Sequence, residues 1–187
     1  SLPEQSDTDI SVEEIARRIN EELVATWGNL VNRVLSMVHV RCDGAVPEPG
    51  DRTDADTELV AGVDAALVVA ADQIDRVELR AALRTAMEAA AGVNAYLNAT
   101  EPWNLARTDP DRSRVVLGTA LDAVNGVRVA FTPYLPFSSA ALDEVLGPVD
   151  AWLRPELSPG LPIGKPSPLF AKVDVEELFA DDDGDTG

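Results

Sequence analysis

Hydrophobic residues in this chain recur every three or four positions, in stretch after stretch, and proline or glycine closes most of the stretches. That spacing lines apolar side chains along one face of an α-helix, which turns once per 3.6 residues. Sustained period-2 alternation, the mark of a half-buried strand, is absent. The first run holds Val12, Ile15, Ile19, Leu23, Trp27, Leu30, Val31, Val34, Leu35 and Val38. It predicts an amphipathic helix over residues 12–40, opened by a capping box of Ser11 and Glu14. Gly28 interrupts that helix, at a cost on the order of 1 kcal/mol against Ala. Further helices are predicted over residues 57–71, 77–97, 111–131 and 138–146. Asp43-Gly44, the Pro-rich run 46–50, Glu101-Pro102-Trp103, Pro133, Pro136 and Gly147-Pro148 supply the breaks between them.

The expected fold is therefore all-α: an antiparallel helix bundle of about five helices with short loops. Residues 1–10 read as a polar, acidic lead-in and residues 11–147 as the bundle. After Pro148 the texture changes. Pro155, Pro159, Pro162, Pro166 and Pro168 forbid a long regular element. Residues 148–180 are thus expected to form an extended, Pro-rich C-terminal strap, packed through Leu161, Ile163, Leu169 and Phe170. Residues 181–187, with Asp181 to Asp185, read as a disordered acidic tail.

Composition narrows the chemistry. The chain has 187 residues, about one domain's worth, with Lys+Arg 15 against Asp+Glu 33, a net charge of -18. A dense cationic surface is what general DNA or RNA binding needs, so non-specific nucleic-acid binding is excluded and no DNA partner is expected. Cys42 and His39 are the only residues of their kinds. One of each cannot build a structural zinc site or an intramolecular disulfide, and a conventional nucleophile–base pair would have to use His39, which reads as a helix-end residue. No metal or cofactor is expected. No apolar run is long enough to cross a bilayer and no leader is evident, so the expected location is the cytoplasm.

Two features stand out. Asn29 and Arg33 are an i, i+4 pair on the side of the first helix opposite Trp27, Val31 and Val34. An amide donates and accepts, and a guanidinium presents a fixed fork of donors, so together they can read the edge of an unstacked base. They can equally be two ordinary surface residues. Trp103 follows Glu101-Pro102 directly, and the fixed φ of Pro102 makes a stiff mount for an indole. Such an indole is a stacking platform, or else a cap on the end of the bundle. Arg76, Arg80 and Arg84 fall at i, i+4 and i+8 of the third predicted helix, and Arg107, Arg112 and Arg114 follow Trp103. Arg80, Arg84 and Arg107 are candidates for phosphate contact along a local basic lane, with pairing of Arg80 and Arg84 to nearby Glu residues as the alternative.

The order of several short motifs resembles the anticodon-binding domain of methionyl-tRNA synthetase over nearly the whole chain. The stretches are Asn20-Glu21-Glu22-Leu23, Trp27-Gly28-Asn29-Leu30-Val31-Asn32-Arg33, Asp43-Gly44, Asn94-Ala95-Tyr96-Leu97, Glu101-Pro102-Trp103 and Pro133-Tyr134-Leu135-Pro136. Leu2-Pro3-Glu4 with Asp7-Thr8-Asp9 resembles the segment that leads in from the catalytic half, and Pro168-Leu169-Phe170 with Lys172 resembles the terminal strap. The resemblance implies that Asn29 and Arg33 hydrogen-bond the first anticodon base, that Trp103 stacks on it, and that Pro102 sets the angle. It implies a module reading the CAU anticodon of initiator and elongator methionine tRNA, partnered with a synthetase catalytic domain in cis or in trans. The family's catalytic His-Ile-Gly-His-type and Lys-Met-Ser-Lys-Ser-type motifs are missing here, where Lys165 and Lys172 are the only lysines. The chain on its own is therefore expected to recognise and not to catalyse. A free-standing paralogue serving as a protein-interaction or regulatory bundle is the alternative that the sequence leaves open.

Overall fold

The computed structural model describes residues 19–164 and 166–170. The Ser11–Glu14 box, the lead-in 1–10, Lys172 and the acidic tail 181–187 lie outside that range. A π-helical segment, Ile19–Gly28, runs into α1 (Asn29–Arg41). Then come α2 (Asp54–Asp75), α3 (Leu79–Thr100), α4 (Pro102–Thr108), α5 (Pro110–Phe131) and α6 (Pro136–Leu146). Among the described residues there is no strand, only an isolated antiparallel bridge between Ala45 and Pro162. The all-α bundle expected from periodicity is what forms. The short helix α4 is an addition, because seven residues are too few to show a period. Pro136 does not end a helix but opens α6, and Pro102 and Pro110 likewise open α4 and α5. Proline suits the first turn, where its missing N–H would have no partner in any case.

Helix α5 is the axis of the bundle and touches α1, α2, α3, α4 and α6. From Ala123 to Phe131 every residue is buried, so this stretch is enclosed on all sides rather than amphipathic. Trp27, Leu30, Val31, Val34 and Val38 pack into the same core, with the Trp27 ring 4.9 Å from that of Phe131. The polar side chains of this stretch, Asn125 and Arg128, are buried with them. Asn125 donates to the Pro155 carbonyl at 2.8 Å. Arg128 donates to Asp143 at 3.0 Å and to the Gly147 carbonyl at 2.8 Å.

The described part of the strap packs on the bundle. Ile163 is buried, and the Val46 amide donates to the Leu161 carbonyl at 2.9 Å. His39 sits at the end of α1 and its Nδ1 lies 3.1 Å from the Ile163 carbonyl, which makes that nitrogen the donor. Phe170 explains Gly28: a Cβ there would lie 2.8 Å from the Phe170 ring. The glycine that weakens the helix in isolation is what lets the strap's last described residue close on it.

At one end of the bundle a buried knot joins three helices. Asp56, in the first turn of α2, is fully buried. It accepts from the Tyr96 hydroxyl of α3, from the Thr53 amide at 2.8 Å, and from Arg112 of α5, whose Nη2 lies 2.8 Å from Oδ1. Burial opposes the charge on Asp56, but the hydrogen bonds from Arg112, Tyr96 and the Thr53 amide, with the Arg112 charge, outweigh it. They hold this carboxyl well below the usual carboxylate range.

A carboxyl with a depressed folded-state pKa stabilises the fold above its unfolded value, about pH 4, and loses that effect as the pH falls through the folded value. Asp56→Asn is expected to lower stability at pH 7 by about 3 kcal/mol, since it leaves Arg112 without its buried counter-charge. Urea unfolding at pH 7 and pH 3 checks both points. The variant should lose less than the parent between the two pH values, and equal acid losses would show that Asp56 is not the group responsible.

Candidate nucleic-acid interface

The knot sits beside the corner that carries Trp103. Helix α3 ends at Glu101 and α4 begins on the same residue, which adopts a left-handed conformation with φ 44 and ψ 57. Its amide still bonds back to Leu97, while its carbonyl accepts from the Asn104 and Leu105 amides of α4. The left-handed region is unfavourable for a residue with a Cβ. Neighbouring contacts over-determine it. The Asn104 side chain donates to Glu101 Oε2 at 2.9 Å, and Ser113 of α5 donates to the Pro102 carbonyl at 2.9 Å. Pro102 is buried at the first position of α4. Trp103, directly after it, is thus mounted on the opening turn of a helix, and the turn expected at Glu101-Pro102-Trp103 is compressed into a single residue.

The structure brings Arg33 and Trp103 together across 70 residues of chain. The Arg33 guanidinium carbon lies 4.6 Å from the centroid of the Trp103 ring. Its Nη1 and Nη2 both donate to Asn98 Oδ1 of α3, at 3.3 and 3.2 Å. Arg33 is half-buried, Asn29 one turn earlier is exposed, and Trp103 is half-buried. A fixed guanidinium, an open amide and a planar indole therefore share one corner. Asn98 is the residue that sequence reasoning missed. Its position five residues ahead of Trp103 carried no periodic signal, and only the crossing of α1 with α3 reveals its partner.

The basic lane is shorter than expected. Arg76 is not on α3, which starts at Leu79; it caps α2 and pairs with Asp72 at 2.7 Å and Glu78 at 3.4 Å. Arg112 is consumed by the Asp56 knot, and Arg114 lies 3.9 Å from Asp111. Arg80, Arg84 and Arg107 are exposed and make no ion pair among the described residues, so the pairing of Arg80 and Arg84 with Glu does not occur there. Arg107 lies one turn beyond Trp103 on α4. Arg80 and Arg84 are at the far end of α3, roughly 27 and 21 Å along the axis from Asn98 at the helical rise. They do not join the Arg33–Trp103 corner. Among the described residues no group of His, Cys, Asp or Glu is placed to hold a metal ion, and no helix is long and apolar enough to cross a membrane.

This fold and corner define an all-helical domain with a tryptophan and a guanidinium in contact at one corner. Residues 46–181 match the family described as the anticodon binding domain of methionyl tRNA ligase, and residues 1–35 match that described as tRNA synthetases class I (M). The chain is 41% identical to the methionine–tRNA ligase of Roseiflexus castenholzii over 96% of its own length and 35% of the relative's. It is 36% identical to that of Thermobifida fusca, over 95% of its length and 36% of the relative's. The free-state crystal structure of Mycobacterium tuberculosis methionyl-tRNA synthetase superposes with a TM-score of 0.82 at 30% identity, covering 88% of this chain and 35% of that one. The chain belongs to the anticodon-binding-domain family of methionyl-tRNA ligase, and it spans about a third of the length of the relatives it matches. Asn29 and Arg33 fall in the stretch matched by the class I synthetase family and Trp103 in the stretch matched by the anticodon-binding family, so the corner draws on both.

Arg33→Ala is expected to uncover the Trp103 ring at a stability loss of about 1 kcal/mol or less, the range for a partly exposed cation–π contact. Of the three tryptophan indole signals in an NMR spectrum, one should move strongly and become accessible to a soluble quencher. An unchanged indole spectrum would mean that the guanidinium does not rest on the ring in solution.

Proposed function

We propose that this chain reads the first base of the CAU anticodon in initiator and elongator methionine tRNA, as the recognition part of a methionyl-tRNA synthetase whose catalytic half performs the ligation. The observation that carries this reading is the Arg33–Trp103 contact beside the exposed Asn29. A cytosine splayed from the loop stacks on the indole as the Arg33 guanidinium slides from over the ring to its rim, and turns its Watson–Crick edge to α1. That edge has two acceptors and one amino donor. The guanidinium's free N–H groups suit the acceptors, and the Asn29 amide, with one donor side and one acceptor side, completes the match. Uracil reverses the donor and acceptor at two of these positions and leaves polar groups unpaired, which is what makes such readout selective.

Affinity has to come from few contacts. Binding to phosphate scales with the number of cations engaged, and the body of the domain is strongly acidic. Arg107 serves the phosphates beside the flipped base, while Arg80 and Arg84 reach the backbone farther along the stem. The remaining affinity of the whole enzyme then resides in the catalytic half, which holds the acceptor end.

The test is binding of CAU and UAU anticodon stem-loops at one stated salt concentration. The CAU loop should bind more tightly, and Trp103→Ala should weaken it by roughly 5- to 150-fold, the loss of one base–aromatic stack. Arg107→Ala should instead weaken both loops alike and lower the salt slope by about one. Equal binding of both loops by the parent chain would overturn the reading and leave a helical protein-interaction module.

A further inference from the structure

The π-helical segment gives way to α1 at Asn29, the first residue of the proposed base-reading pair. A π-turn bonds each carbonyl to the amide five residues on, and an α-turn to the amide four residues on. Passing from the first to the second leaves one carbonyl near the junction without an amide, and a buried carbonyl needs a partner. The Nδ2 of Asn94, on α3, donates to the Thr26 carbonyl at 3.3 Å. It also reaches the Ala90 carbonyl of its own helix at 3.4 Å. One amide therefore clips the backbone three residues ahead of Asn29 to the helix that holds Arg33 through Asn98. Asn94 and Asn98 stand one turn apart on α3 and grip the lead-in and the side chain of the same reading face.

We infer that Asn94 is a positioning residue for recognition of the first anticodon base: by holding the π-to-α register change in place, it sets the direction in which Asn29 and Arg33 leave α1. This rests on the reading of Asn29 and Arg33 given above. The wider π turn rotates everything after it relative to an unbroken α-helix. A helix that relaxed to uniform α register would swing the Asn29 amide around the axis while leaving Trp103, which is fixed by Glu101 and Ser113, where it is. Loss of Asn94 thus separates edge reading from stacking.

The experiment uses this full chain with CAU and UAU stem-loops, a thermal melt of each variant, and the shift of the Trp103 indole NMR signal on binding. Asn94→Ala is expected to bind the CAU loop with the tryptophan signal retained, while the CAU-to-UAU preference drops at least fivefold. Asn94→Gln, which keeps the donor, should recover most of the preference. If Asn94→Ala does not fold, Asn94→Ser carries the same comparison with a shorter donor. Full preference in the Ala or Ser variant would overturn the inference, as would an equal loss for both loops, which marks a purely structural role. A parent chain that does not distinguish the loops would overturn the proposed function and this inference together, whereas a selective parent with an equally selective variant overturns the inference alone.

Discussion

A single buried carboxylate holds together the end of the bundle on which the candidate site is built. Asp56 gathers Tyr96, Arg112 and the Thr53 amide, and so fixes where α2 begins, where α3 is about to end and where α5 starts. Burying a charge is tolerable only when partners surround it, and here they come from three separate elements. The next residue after Arg112 is Ser113, which grips the Pro102 carbonyl. The path from the knot to the indole is therefore two hydrogen bonds long. That path seats the start of α4 against α5, while the Arg33 side of the contact is held by Asn98 of α3.

The middle of the molecule follows a different rule. From Ala123 to Phe131 helix α5 is enclosed so completely that its polar residues there, Asn125 and Arg128, find acceptors in the chain that follows it. Asn125 uses the Pro155 carbonyl, and Arg128 uses Asp143 and the Gly147 carbonyl. Arg154 of the strap pairs with Asp64 of α2 at 2.8 Å, and the Trp152 indole donates to the Leu67 carbonyl at 2.8 Å. The segment after α6 thus supplies hydrogen-bond partners that the buried side chains of α5 use. It is tied to α2 and α5 by these bonds, although its prolines bar it from any regular element.

Periodicity made most of the helices legible, because it reports which face of an element is apolar. The Trp27–Val38 stripe and the runs that became α2, α3 and α5 are of this kind. It could not report partners across the fold. Arg112 looked like one more cation after Trp103, yet a carboxylate far away in sequence claims it. Arg76 is in phase with Arg80 and Arg84, yet α3 begins three residues after it. The π-helical register before Asn29 leaves the i, i+3, i+4 pattern readable while changing its phase, so Gly28 registered as an interruption and not as a junction under Phe170. At the corner, residue types and local stiffness singled out Arg33 and Trp103. Their contact and the Asn98 oxygen behind it depend on the crossing of α1 and α3, which no local pattern encodes.

Glu101 has one further consequence. Because it closes one helix and opens the next, the chain has no spare residue between the end of α3 and the ring of Trp103. One residue added there would turn α4 by about 100° about its axis and carry the indole off the α1 side. The connection from α1 to α2 holds an irregular stretch that can absorb length changes. Drift in segment length among descendants of this chain should therefore accumulate in that connection and stop at the α3–α4 corner, where the spacing itself is the heritable trait.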